Sequence, residues 1–157
     1  MKTLKISTFL LLATCFIQAS RVSPDPVTFV GSTPCDMIPR NMLSIPINAD
    51  CEFIKWNLAL RRDPRNQAPT TFRLSYTYGL TQPNTTGFRN NGTSQTKEGN
   101  WSIRKDASNK ETYRLNATTP ETSITFARLD DNLIHLLDSQ GKLMIGHAGW
   151  SYTLNRK

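Results

Sequence analysis

Two neighbouring segments of the sequence alternate between apolar and polar residues with a period of two. In FIKWNLALR (53–61), the apolar residues fall at every second position, and TFRLSYTYGL (71–80) repeats the pattern with aromatic residues. Such alternation is typical of strands that bury one face. The intervening DPRNQAP is rich in turn-forming residues. The two segments therefore predict an antiparallel hairpin with one side against a core.

Short segments of similar character occupy much of the remaining chain, and turn residues separate them. Their ranges are 27–31, 100–106, 111–118, 123–130, 132–138, 142–146 and 150–156. Eight or nine strands with tight connections predict an all-β fold. We expect a small antiparallel up-and-down, lipocalin-like β-barrel of about eight strands, because closure removes exposed sheet edges.

Three other segments are harder to assign. The Pro-rich segment 33–50 predicts irregular chain held by its cysteines, and 81–99 predicts a long exposed loop because it is rich in Pro, Asn, Gly and Thr. Residues 131–140 fit either a hairpin or a short helix that Gly141 would end. We favour the hairpin because apolar runs of matching length flank DSQG.

The N-terminus has the layout of a secretory signal peptide, with two lysines, an apolar run and small residues at Ala19 and Ser20. The sequence thus predicts a leader over 1–19 and a single domain over 20–157. A second interpretation is a lipoprotein signal, since LATC (12–15) would make Cys15 a lipidated first residue. Both predict an exported protein, periplasmic or extracellular, that is at most peripheral to a membrane.

Beyond the leader the chain has two cysteines, Cys35 and Cys51, with fifteen residues between them. Export to an oxidising compartment favours a disulfide. A loop of this length would stabilise the fold by about 3 kcal/mol. Two alternatives stay open: a redox pair, and a copper or zinc site in which His147 joins the two sulfurs.

Charge and motifs exclude some functions. Without Lys2 and Lys5, 17 basic residues face 12 acidic ones, a net charge of +5. The basic cluster RRDPR (61–65) lacks interleaved aromatic residues, so we expect a solvated turn and no nucleic-acid partner. The sequence contains no catalytic motif such as H-E-x-x-H or G-x-S-x-G. We therefore predict a protein without enzymatic activity.

Aromatic residues have two interpretations. They fill the barrel as core, or some of them line a pocket for a small apolar ligand that indole N–H and phenol groups orient. The candidate pocket residues are Trp56, Tyr76, Tyr78, Trp101 and Trp150.

Several short motifs are shared with one protein family. FVGSTPCD, ADCE, EGNW (98–101), ETYRL (111–115) and LIHLLDSQGKLM (133–144) resemble the N-terminal barrel domain of NlpE-type copper-resistance, or envelope-stress, lipoproteins. HLLDSQGKL and WSYTLNR also resemble segments of uncharacterised exported bacterial proteins. The resemblance implies a lipocalin-like barrel at the cell envelope without an assigned enzyme activity. It would act in copper or envelope-stress tolerance, or through an envelope protein partner.

The family's first loop carries a C-x-x-C pair suited to a soft metal. Here Cys35 matches its first cysteine, and the second cysteine is displaced to Cys51.

Overall fold

The computed structural model describes residues 25–106, 108–118, 123–147 and 149–157. The predicted leader (1–19) and Cys15 lie outside this part of the chain. Eight antiparallel strands form a closed up-and-down barrel in which each strand pairs with the next and the last pairs with the first. The strands are β1 (Val27–Pro34), β2 (Phe53–Arg62), β3 (Pro69–Gly79), β4 (Thr93–Lys105), β5 (Glu111–Ala117), β6 (Ser123–Arg128), β7 (Leu133–Leu136) and β8 (Thr153–Arg156). Helix α1 (Met37–Leu43) follows β1, and a short 3-10 turn (Arg89–Asn91) precedes β4. The predicted fold class is confirmed.

The period-two alternation in β2 and β3 places their apolar residues inside the barrel. Cross-strand pairs Trp56–Tyr76, Leu58–Leu74 and Leu60–Phe72 bring buried side chains together. The seam between β1 and β8 depends on Gly31, because a Cβ there would lie 2.6 Å from Leu154 Cδ2 and 2.8 Å from the Thr153 carbonyl oxygen. A glycine therefore lets the last strand close against the first.

The strands differ in length around the barrel, and this sets its two ends apart. β2, β3 and β4 have ten, eleven and thirteen residues, whereas β5 to β8 have seven, six, four and four. α1 lies against the long strands at the end where β1 finishes and β2 begins: Tyr76 Oη donates to the Leu43 carbonyl at 2.8 Å. We call this the capped end. The opposite end, where β1 begins and β2 finishes, is the open end.

Four sequence predictions need correction. The loop expected over 81–99 is strand from Thr93 onward, because Thr93–Asn100 pair with β3. This half of β4 lacks apolar residues, and its inward side chains contact polar groups at the capped end: Gln95 Oε1 lies 2.7 Å from Tyr76 Oη, and Lys97 donates to Ser44, the C-cap residue of α1. The irregular segment expected over 33–50 contains α1.

The other two corrections concern the strands expected over 142–146 and 150–156, in the C-terminal part. Residues 133–136 form strand β7, so the hairpin interpretation of 131–140 is confirmed and the helix is wrong. The strand expected over 142–146 is reduced to one bridge between Leu137 and Leu143. The last strand is regular only from Thr153. No helix in the described ranges is long and apolar enough to cross a membrane.

Candidate binding site

A cavity of about 340 Å³ lies at the open end of the barrel. Its floor is apolar and aromatic, and its rim is charged. The floor consists of Val27, Phe29, Leu60, Trp101, Ile103 and Tyr113, and the rim consists of Arg62, Glu111, Arg128, Asp131 and Arg156. Ligand pockets in proteins have volumes of about 300–1,000 Å³, so this cavity suits a small molecule.

The same alternation that builds the core also builds the rim. Arg62 follows inward Leu60 by two positions, Arg128 follows Phe126, and Arg156 follows Leu154. Glu111 precedes inward Tyr113 in the same way. Because side chains two apart share a face of a strand, each charged residue continues an inward row to the point where the barrel opens. All four such rows end at the open end.

Trp101 forms the rigid centre of the floor. Its indole Nε1 donates to the Arg61 carbonyl oxygen at 2.7 Å, so the buried donor is satisfied. The ring meets Tyr113 edge-on, with centroids 5.2 Å apart. Arg62 lies over its face, 4.8 Å from the ring centroid, and donates to the Gln67 carbonyl at 2.8 Å. Indole, phenol and guanidinium are thereby held in one arrangement.

The three rim arginines differ in how their charge is matched. Arg128 donates to both Glu111 and Asp131, and these bonds raise the pKa of its guanidinium. Arg62 interacts with the Trp101 ring and a backbone carbonyl. Arg156 forms no ion pair with any described residue. Three cations and two carboxylates leave the rim with a net charge of +1.

Tyr113 supplies the polar group of the floor. Burial raises the pKa of its hydroxyl, Arg128 and Arg62 oppose this rise, and Glu111 adds to it. The phenol is thus neutral at physiological pH and is able to donate a hydrogen bond. Together the groups offer a small apolar floor, of which Phe29, Leu60, Trp101 and Tyr113 are largely buried, and a cationic rim for one negative charge.

Of the five aromatic residues that the sequence suggested as ligand contacts, Trp101 lines this cavity. Trp56 lies in the core, where its Nε1 donates to Thr33 Oγ1 at 2.8 Å. Tyr76 and Tyr78 lie side by side toward the capped end, with ring centroids 6.5 Å apart. Trp150 is 45% exposed and its ring centroid is 4.1 Å from that of Phe53, also at the capped end. The five residues do not converge on one cavity.

Sequence reasoning missed the rim residues Arg62, Glu111, Arg128 and Arg156. It interprets the Arg61–Arg62 pair as part of a solvated turn. The signal that identifies the set is a charged residue two positions beyond the last buried apolar residue of a strand, repeated in several strands.

Cys35 and Cys51 form a disulfide with a Cα–Cα distance of 5.7 Å, as expected for an exported chain. His147 is exposed and meets Trp150 edge-on. The described residues contain no group of three His, Cys, Asp or Glu side chains placed to hold a metal ion. Because a metal binds the thiolate form of cysteine, copper ligation by this pair would require its prior reduction. The copper role stays a prediction.

No protein-family model, no curated protein and no solved structure matches the chain. Fold and site together define a small eight-stranded antiparallel barrel with one end capped by a helix and the other open to a charged cavity.

Proposed function

We propose that the protein is an exported, non-enzymatic binding protein that holds a small amphiphilic monoanion in the open end of its barrel. The observation that carries this proposal is the cavity itself, in which an apolar floor of strand residues meets a rim with one unmatched cation. The proposal makes the lipocalin-like interpretation of the sequence more specific, because it assigns the ligand to the mouth of the barrel. The disulfide supports the exported location, since such bonds persist in oxidising compartments.

We assign the ligand to the mouth of the barrel because side chains fill the centre. Core side chains from facing strands, among them Leu58, Leu74, Leu115 and Phe126, are almost fully buried in one apolar cluster. A ligand body of limited size would rest on Leu60, Ile103 and the rings of Trp101 and Tyr113. Its anionic group would then lie at the level of Arg156.

A matched pair of ligands tests the charge requirement. Octanoate and 1-octanol share the apolar chain and differ in charge. By isothermal titration calorimetry, we expect octanoate to bind more tightly than octanol. Arg156→Gln should weaken octanoate binding by about 10-fold or more, since a hydrogen bond to a charged group contributes roughly 1.5–3 kcal/mol. The affinity for octanol should stay unchanged.

Arg61→Gln is the matched control. Arg61 is adjacent in sequence to Arg62 of the rim, but its own side chain does not line the cavity. Both variants remove one positive charge. An equal loss of octanoate affinity in both would show a general charge effect and would contradict a local site. Failure of the wild-type protein to bind octanoate at millimolar concentration would refute the proposal outright.

A further inference from the structure

A second cavity, of about 560 Å³, lies on the outer wall of the barrel. It is bounded by the C-terminal part of α1, the outer faces of β5 and β6, and the turn at 138–141. It shares no lining residue with the cavity at the open end, so a site here is independent of the proposed function. Most of the side chains that face it are polar: Asn41, Arg114, Ser123, Thr125, Ser139 and Gln140.

Arg114 is the central cation of this cavity. It occupies an outward position of β5 because its neighbours Tyr113 and Leu115 point into the barrel. Its cross-strand partners are Ser102 on β4 and Thr125 on β6. Arg114 forms no ion pair with any residue that the structure describes.

Two polar atoms at this position are buried without a partner in the described part of the chain. They are Arg114 Nε and the hydroxyl oxygen of its cross-strand partner, Ser102 Oγ. Buried donors and acceptors in proteins are normally hydrogen-bonded, because a buried polar group without a partner has lost its hydration and gained no bond in its place. Nε therefore lies behind the cavity wall with an unused N–H, and Arg114 lines the cavity with its other side-chain atoms.

The nearby carboxylate of Asp138 offsets the charge of Arg114 in the cavity but forms no ion pair with it. Asp138 also lines the cavity, but its Oδ1 accepts the backbone N–H groups of Gln140 at 2.8 Å and Lys142 at 2.9 Å. This carboxylate thus shapes the 138–141 turn, whose Gly141 has a φ of +78°. Ser139 and Gln140 belong to this turn and line the cavity.

We propose that Arg114 and the surrounding hydroxyl and amide groups form a binding site for a small oxyanion, a carboxylate or a phosphate group. A guanidinium presents paired N–H groups in a planar fork that matches two oxygens of such a group. The hydroxyls of Ser123 and Thr125 and the amide of Asn41 are available to donate to the remaining oxygens. The volume leaves room for a polar molecule attached to the anionic group.

The Nε–Hε group of Arg114 belongs to a side chain that lines the cavity, so its NMR signal reports on anion binding there. The protein, labelled with ¹⁵N, is titrated separately with inorganic phosphate and with acetate at constant ionic strength, and the Arg114 signal is assigned from its absence in Arg114→Lys. We expect a saturable shift of this signal with at least one of the two anions. The anion that gives the tighter saturation distinguishes a phosphate site from a carboxylate site.

Variants separate the site from general attraction of anions to a basic protein. Thr125→Ala should weaken binding several-fold. Arg104→Lys is the matched control, because Arg104 lies on the same outer surface of β4 and does not line the cavity; it should bind as wild type. The wild-type titration is sufficient to overturn the proposal: it does so if the shift does not saturate, or if chloride reproduces the shift at the same ionic strength.

Discussion

Arginine has opposite roles at the two ends of the barrel. At the capped end, Arg40 of α1 is only 8% exposed and donates to the carbonyl oxygens of Pro46, Ile47, Ala49 and Cys51. At the open end, Arg62, Arg128 and Arg156 surround a cavity, and Arg156 forms no ion pair with any described residue. The buried arginine has its donors directed at backbone, whereas the rim arginines remain accessible to a ligand.

The surroundings of each end explain the difference. The segment after α1 has no regular structure, so its carbonyl groups need donors, and Arg40 supplies them to four residues within reach of one guanidinium. The Cys35–Cys51 disulfide and the bond from Tyr152 to Asp36 hold the same region from other sides. No helix covers the open end in the described ranges. The difference lies between Arg40, whose bonds to four carbonyls hold a segment of backbone, and Arg156, which forms no ion pair with any described residue and lines a cavity.

We expect the largest effect on stability from Arg40→Ala, which removes the buried guanidinium of the capped end. Four backbone carbonyls lose the bond from Arg40. Each buried group left without a partner costs about 1–3 kcal/mol, although the Pro46 carbonyl keeps the bond from the Ala49 N–H and water will reach others. We expect the free energy of unfolding to fall by about 4 kcal/mol, measured by urea denaturation followed by tryptophan fluorescence.

The matched control is Arg104→Ala, since Arg104 is exposed on β4. Surface substitutions of this kind change stability by about 0.5 kcal/mol or less. Equal losses in the two variants would contradict a structural role for the buried guanidinium.

Removal of the disulfide should have the next largest effect. In Cys35→Ala/Cys51→Ala, the unfolded chain is no longer constrained over the loop between the two cysteines, and we expect a loss of about 3 kcal/mol in the free energy of unfolding. The affinity of the open end for octanoate should not change, because the disulfide lies at the other end. A parallel loss of octanoate binding would show that the two ends are coupled.

The parts of the fold that could be predicted are those in which residue type follows from local geometry. In β2 and β3, every inward position of the alternating segments is apolar, so a period of two identifies both strands and their buried faces. Even Arg62, Arg128 and Arg156 obey this period. Their convergence depends on the register of non-neighbouring strands, and no local pattern carries that information.

Some elements are not predicted from the sequence. They are stabilised by contacts with residues that are distant in sequence. α1 has seven residues and no side-chain cap, and it is held by the burial of Leu43 and by the bonds of Arg40. The first half of β4 is polar, and its inward Lys97 donates to Ser44, the C-cap residue of α1. A sequence without an assigned helix at 37–43 therefore offers no reason to expect a strand at 93–99.

The smallest expected effect is on the ionisation of the tyrosines at the two ends, and it occurs only at alkaline pH. Burial raises the pKa of Tyr76 to about 12. Burial, and then the bond to Asp36, also raises the pKa of Tyr152. At the open end, burial raises the pKa of Tyr113, but Arg128 and Arg62 favour its phenolate. We therefore expect Tyr113 to ionise before Tyr76 as the pH rises.

The sign of the stability change depends on these directions. An unfolded tyrosine loses its proton near pH ~10, whereas the folded chain retains it to higher pH. The contribution of these tyrosines to the free energy of unfolding should be constant below about pH 10 and should fall as the pH rises through the raised values of the folded state. Absorbance at 295 nm, compared between wild type, Tyr113→Phe and Tyr76→Phe, resolves the order of these two tyrosines: the transition missing from Tyr113→Phe should lie at lower pH than the transition missing from Tyr76→Phe. The reverse order would mean that the rim arginines exert no field on the floor of the cavity, and the cationic character on which anion binding at the open end depends would have to be abandoned.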